Sequence, residues 1–429
     1  MQNIKNIRID ILFLFFIILF MFFDSYPIFP SVYRPLSLYF VLPIGLFFIA
    51  NFFLKRNNSI LKVEIWLLVY FIYGFLISAN FSLLKYRNIS GLLDYTITVL
   101  LAIISYIAFK RLLFYYDDKI IFKTIKLVSY FYLIVGIIEV LAIFGFIPYF
   151  FKNVMNFMFS LKNSSRILLS NSEPSWATMT LLFVINYFIS FDKKVEAFII
   201  SILILLSFSL QGILELFIFI ILINMDSFNL KAIIKFVTII LIIIMFFISV
   251  LPNLIIMFNM DDSYFGKRIL GLNLNDNFQE LLMLGGGSTF IRIMYPYMGF
   301  EMSLKNPIGY GGGNYRYEFN DVITDYDYAL NVFEIRSNIK KINATPKNLL
   351  ARAISENGWF GFLILLSVFI YLYLYLLVNS YHIFYRNSLL LIFVYYLQFD
   401  SYIYLPAIFL LALILIKISK GKNNWREAL

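Results

Sequence analysis

Cysteine is absent from this 429-residue chain, and histidine occurs once, as His382. With no thiol there is neither a disulfide nor a thiolate-bound metal, and a single imidazole cannot build a His-based zinc site. Charge is scarce as well. Only 14% of the residues are Asp, Glu, Lys or Arg, against about a quarter in soluble domains. There is also no internal repeat or inverted symmetry of the kind transporters carry. What remains is apolar: 61% of the chain is hydrophobic, with 50 phenylalanines and 31 tyrosines. That balance places the chain in a bilayer. The formal net charge of +10 is not a nucleic-acid signature, because Lys and Arg fall mainly in short segments between apolar runs, where they set topology.

A spanning helix needs roughly 17–25 apolar residues. Candidate runs lie near 9–23, 36–54, 63–79, 92–109, 121–144, 176–191, 195–210, 212–225, 232–251 and 357–378. A further run, 388–418, is too long for one ordinary helix and is interrupted by "FDSYIYLP", where Asp400 and Pro406 predict a hairpin of two short spans. The expectation is an all-α polytopic membrane protein of about 12 spans. The start "MQNIKNIRIDILFLFFIILFMFF" is basic and apolar without a small-residue cleavage site, so it reads as a retained first helix. With that end cytoplasmic, "KRNNSILK", "KRLLFYYDDK", "DKK", "DSFNLK" and "YHIFYRN" all fall inside, as the positive-inside rule requires. The tail "KISKGKNNWR" joins them only if the hairpin exists, and Lys85 and Arg87 depart mildly from the rule.

One loop is out of proportion. Residues 252–350 are polar and external, dividing a bundle at 1–251 from the closing helices and basic tail at 351–429. Connections of that length are uncommon without a purpose. A second external segment, 145–175, reaches the same face.

Three clusters there carry chemistry. In "NSSRILLSNSEPSWATMTLLF", Pro174 suits a first helical turn, Ser172 is a candidate N-cap, and Glu173 sits at the positive end of the helix dipole. Plain capping, with Trp176 at the interface, explains much of this. It does not explain Arg166, since an arginine at membrane depth costs roughly 2.5–3.5 kcal/mol. The second cluster, 285–320, sets Arg292, Glu301 and Lys305 among aromatics before "NPIGYGGGN", with Asn314 at its end and Arg316 following. Consecutive glycines let backbone N–H groups converge on an anion, though a simple bend is the plainer reading. Neither a Walker loop nor a dinucleotide fingerprint is present. In the third, "NATPKNLLARAISENGWFGFLILL", Asn348, Arg352 and Glu356 recur every four residues on one helix face, which an ordinary solvated face would also show. Asp325 and Asp327 have a D-x-D spacing that is common by chance, and Asp94, Glu139 and Glu215 lie near span ends.

Taken in order, the "R…EPS" segment, the large loop ending "NPIGYGGGN", the "N…L…ENGWFG" helix and the "FDSYIYLP" hairpin resemble the Wzy-type O-antigen and exopolysaccharide repeat-unit polymerases. The resemblance covers the layout of the whole chain through short motifs. It implies a GT-C-like membrane glycosyltransferase in a bacterial inner membrane, both termini cytoplasmic and the active site facing the periplasm or exterior. Donor and acceptor would be undecaprenyl-diphosphate-linked oligosaccharides, with a chain-length regulator and a flippase of the pathway as further partners and no nucleic acid. No cofactor or metal is required, because arginine can neutralise a leaving diphosphate. Glu173 is the expected general base and Glu356 the second candidate. Arg166, Arg292 and Arg316 would hold the diphosphate, and Lys305, Asn314, Asn348 and Arg352 the glycan or its loop. O-antigen ligases share the layout but carry a histidine in the final loop segment, and Thr345 to Asn348 has none. A lipid-oligosaccharide flippase would show similar halves, short loops and cations within many spans. A structural partner of a synthase gives no reason for the clustered arginines.

Overall fold

The structure is a computed structural model that describes residues 2–23, 35–54, 61–148, 167–171, 173–207, 209–224, 253, 256, 286–325 and 344–421. Among these residues every regular element is helical. In chain order they are α1 (Gln2–Phe20), α2 (Leu38–Leu54), α3 (Lys62–Asn80), α4 (Ser90–Tyr115), α5 (Asp118–Ile143), α6 (Pro174–Ser190), α7 (Lys194–Leu206), α8 (Leu210–Ile223), α9 (Gly286–Lys305), α10 (Tyr315–Ile323), α11 (Leu349–Val378), α12 (Ile383–Gln398) and α13 (Leu405–Lys420). A π-helical turn, Phe81–Lys85, extends α3. The span expected at 232–251 lies outside the described residues, as do much of 145–175 and of the 252–350 loop.

Among the described residues, four helices are long and apolar enough to cross a membrane: Lys62–Lys85, Ser90–Tyr115, Asp118–Ile143 and Leu349–Val378. Their outward faces are apolar. On α3, Ile65, Leu68, Ile72 and Leu76 are exposed at helical spacing, and on α11 so are Phe360, Leu363, Ile370 and Leu374. The small polar groups point inward instead, with Ser78, Ser105, Thr124, Ser129 and Ser355 all buried. Water would demand the reverse arrangement. In hydrocarbon, inward hydroxyls join helices and permit close approach.

The short α6 is buried on nearly every side between α5, α7, α8 and α12. The Thr178 side chain packs directly on Gly212 of α8. Two buried hydrogen bonds tie α6 to α12, Asn186 Nδ2 donating to Ser388 Oγ at 3.0 Å and Asn387 Nδ2 to Ser190 Oγ at 3.2 Å. The run expected to form a hairpin is two 16-residue helices, α12 and α13. They part at Phe399–Tyr404, where Asp400 stands and Pro406 falls in the first turn of α13.

The helix that carries Arg352 and Glu356 leads through Asn357 and Gly358 into the tenth span, the two parts of α11 meeting at a non-helical break at Gly358 (φ 63°, ψ −173°). One expectation changes in detail. Within the expected external loop, α9 and α10 build a small core of their own from Met294, Met298, Met302, Tyr315, Phe319 and Val322, and α9 packs along α11.

Candidate functional site

The kink of α11 and the glycine turn make one object. Beyond Gly358 the helical ladder cannot run on, and its broken rungs are taken up by residues 307–311. Tyr310 N–H donates to the Ser355 carbonyl (3.0 Å), Gly311 N–H to that of Glu356 (2.7 Å), and Trp359 N–H to that of Pro307 (2.9 Å). A buried backbone group without a partner is costly, so the loop and the kink require each other. The packing is also tight. A Cβ on Gly312 would overlap the Tyr95 ring, and one on Gly358 would overlap the backbone of Pro307 and Ile308.

The anion that the glycine turn binds is the chain's own. Glu356 Oε1 accepts from Gly313 N–H at 2.9 Å, and its Oε2 accepts from Arg352 Nε at 2.8 Å. Arg352 Nη1 donates to the Asp400 carbonyl (2.8 Å), and its guanidinium lies over the Tyr402 ring at 5.0 Å. The side chains of Arg352 and Glu356 are 14% and 2% exposed. They form a largely buried ion pair, not a solvated face. Tyr402 OH meets Tyr70 OH at 2.9 Å, which brings α3 into the same knot. Asn348 caps α11 by accepting from Ala351 N–H (3.0 Å) and donates to the Leu397 carbonyl (3.0 Å). Asn314 is buried, bound by Ser82 Oγ (3.0 Å) and by the Tyr310 carbonyl (2.9 Å).

A second assembly is open. Glu173 is the N-cap residue of α6 and makes no side-chain cap bond, while Pro174 opens the helix. Ser172, the expected cap, lies outside the described residues, as do Arg166 and Asp327. In place of capping, the Glu173 carboxylate faces Arg292, 119 residues further along the chain. Arg292 Nη2 lies 3.3 Å from Glu173 Oε2 and 3.2 Å from Ser175 Oγ. The two charged side chains are 29% and 54% exposed. Glu215, which accepts from Gln211 at 2.9 Å, lies within the electrostatic reach of the same arginine.

The α6 end is anchored from behind. Leu168 and Leu169 donate backbone N–H bonds to Glu139 Oε2 at 3.2 and 2.9 Å, and Leu169 has φ 52°. Ser170 Oγ binds the Phe22 carbonyl and meets Tyr132 OH, each at 2.9 Å, and Asn171 reaches Thr180 at 3.0 Å. So Glu139, placed near a span end by the sequence, holds the turn that precedes Glu173.

The other expected site residues lie elsewhere. Arg316 Nη2 is 2.7 Å from Ser90 Oγ and 3.4 Å from Asp94, and its guanidinium covers Tyr317. Lys305 pairs with Asp325 at 2.8 Å on the surface. Beside them Lys85 pairs with Glu318 within the rings of Phe81, Tyr86 and Tyr310, and burial together with Glu318 and Asp321 pushes the Tyr310 hydroxyl up to about 12. Among the described residues no three acidic or imidazole groups converge to hold a metal ion.

Ser175 and the Asp400 carbonyl were not read from the sequence as site groups. Ser175 carried a weak signal in standing two residues after Glu173. A main-chain carbonyl carries none. Comparison with protein-family models gives no match, and comparison with curated proteins gives none either.

Proposed function

We propose that the chain is a membrane glycosyltransferase that polymerises undecaprenyl-diphosphate-linked oligosaccharide repeat units, as the resemblance to the Wzy-type polymerases implies. In this reading it spans a bacterial inner membrane about 12 times, and Glu173 and Arg292 face the periplasm or exterior. The observation that carries it is the half-open pairing of Arg292 with Glu173 and Ser175 at the start of α6.

That pairing has the parts such a transfer needs. An arginine fork matches the oxygens of a diphosphate, and a carboxylate within reach of a hydroxyl serves as general base. A donor diphosphate arriving at Arg292 competes with Glu173 for the guanidinium and so frees the carboxylate. The acceptor hydroxyl then attacks the donor's anomeric carbon. Its oxygen forms the new glycosidic bond, its proton passes to Glu173, and the bond to the phosphate oxygen breaks with its electron pair leaving on undecaprenyl diphosphate. Arg292 neutralises that charge, joined by Arg166 on the expectation from sequence. In this reading Glu173 rather than Glu356 is the base, since both Glu356 oxygens already accept bonds from Gly313 and Arg352.

Deletion of the gene followed by electrophoresis of surface glycan tests the class. Loss of long chains with a single unit still attached supports a polymerase. Loss of all attached glycan points to a ligase, and accumulation on the cytoplasmic leaflet to a flippase. Glu173→Gln keeps the shape and removes the base, so chain length should collapse at normal protein level, general-base contributions being about 10²–10⁴-fold. A normal ladder from that variant would return Glu173 to a purely structural part.

A further inference from the structure

Glu215 stands in a half-satisfied place. It is 3% exposed on α8, and its Oε1 accepts from Gln211 Nε2 at 2.9 Å. Its Oε2 is buried, and among the described residues no hydrogen-bond partner reaches it. Gln211 Oε1 is buried and without a partner in the same way. A buried acceptor left bare destabilises a fold, so such a pair calls for a group beyond the fold itself.

Helix contacts place this pair beside the transfer site. Gly212 brings α8 so close to α6 that a Cβ there would overlap Thr178, and Thr178 Oγ1 donates to the Ser175 carbonyl at 2.6 Å. Arg292 Nη2 lies 3.2 Å from Ser175 Oγ. Gln211 adjoins Gly212 in the first turn of α8, and Glu215 follows one turn later. The charge of Arg292 also reaches Glu215. These neighbours limit the chemistry of what fits. An anion offers only acceptors, and two acceptors are what Gln211 and Glu215 already present. A cation would be repelled by Arg292. A neutral hydroxyl donates without adding charge, and two adjacent hydroxyls on one sugar ring supply a donor for each oxygen.

We propose that Gln211 and Glu215 bind hydroxyl groups of the donor's first sugar, the ring attached to the diphosphate that Arg292 holds. The inference rests on the polymerase reading and adds to it the place of that ring. The ring carrying the diphosphate is the one that must lie next to Arg292, which is where α8 brings its two acceptors. Hydrogen bonds to ring hydroxyls that strengthen as the anomeric carbon gains positive charge assist glycosyl transfer, so the pair raises the rate of transfer as well as affinity.

The test uses the full-length protein in detergent, with lipid-linked repeat units purified from cells deleted for the gene as substrate and inorganic diphosphate as competitor. The double variant Gln211→Leu with Glu215→Leu removes both partners of a buried bond, so it should unfold no earlier than wild type. Its kcat/KM for chain extension should fall about 10- to 100-fold, the loss of two hydrogen bonds to substrate. Inorganic diphosphate has no sugar ring, so it should inhibit the double variant as it inhibits wild type, and inhibit Arg292→Ala far less. Glu215→Gln swaps one acceptor for a donor and should lower kcat/KM about ten-fold, which keeps the test open if the double variant does not fold. Wild-type kcat/KM in either variant overturns the proposal. So does inhibition that weakens in step with kcat/KM, since the α8 pair would then act on Arg292 and not on the sugar. If wild type itself extends no chain, the polymerase reading falls and this inference falls with it, whereas equal extension by wild type and the double variant sinks this inference alone.

Discussion

Glu356→Gln separates a structural clamp from a catalytic base. The substitution keeps the outline of the side chain but leaves the Arg352 cation, 14% exposed, without its counter-charge. Removing one partner of a buried ion pair costs about 3–5 kcal/mol, whereas replacing both partners by apolar groups of like volume is often neutral. The effect should be felt first where the pair holds the glycine turn, at the N–H groups of Gly311 and Gly313. Hydrogen exchange of a peptide covering 307–315 reads this opening directly. A loss of about 3 kcal/mol speeds exchange there by roughly two powers of ten. Thermal unfolding in detergent should fall with it. The double variant Arg352→Met with Glu356→Leu should recover most of the protection, since no lone charge is left behind. If Glu356→Gln exchanges like wild type and unfolds at the same temperature, the pair does not hold the turn. If the double variant is worse than the single one, the cost lies in packing and the electrostatic account is wrong.

Arg292→Lys keeps the charge and loses the fork, so chain length should shorten by a clear margin, and Arg292→Ala, at about 1.5–3 kcal/mol for a charge-assisted bond, should lose roughly 10- to 150-fold in polymerisation rate; a wild-type ladder from the lysine variant would remove Arg292 from diphosphate binding. Gly312→Ala drives a methyl into the Tyr95 ring and should cost about 1–3 kcal/mol, and combined with Tyr95→Leu it should cost less than the sum of the two single changes. Additive costs would show that the two residues do not touch. His382, in the turn between α11 and α12, accepts from Phe384 N–H through Nδ1 at 3.2 Å, and burial holds its pKa below the usual 6.5. The unfolded chain therefore binds the proton more readily than the folded one. The contribution is complete above pH 6.5 and is lost as pH falls below it, so unfolding midpoints should drop on acidification, and His382→Asn should flatten that part of the profile.

Much of the architecture was legible because a bilayer imposes simple rules on sequence. A solvent of hydrocarbon demands long apolar runs, and four of those runs are helices of spanning length. The break in 388–418 was readable because Asp400 and Pro406 disfavour a continuous span, and α12 and α13 part beside them. The starting point of α6 was readable from Pro174, though the N-cap is Glu173 and not Ser172. Less legible was the ordered packing of 286–325, whose polar composition matches that of an exposed loop although it contains a small core of its own.

The sequence by itself determined the solvent, the helical class and the short list of charged residues that a membrane protein would not carry without cause. These follow from composition and spacing, which act locally along the chain. Only the tertiary structure decided what each charge does. Glu356 and Glu173 are both carboxylates beside an arginine, yet one is sealed by Gly313 and Arg352 while the other stands half-open before Arg292. Arg292 lies 119 residues from its partner and Gly313 lies 43 residues from its own. Burial and distance between such remote groups are properties of the packed bundle, and no local pattern in the chain encodes them.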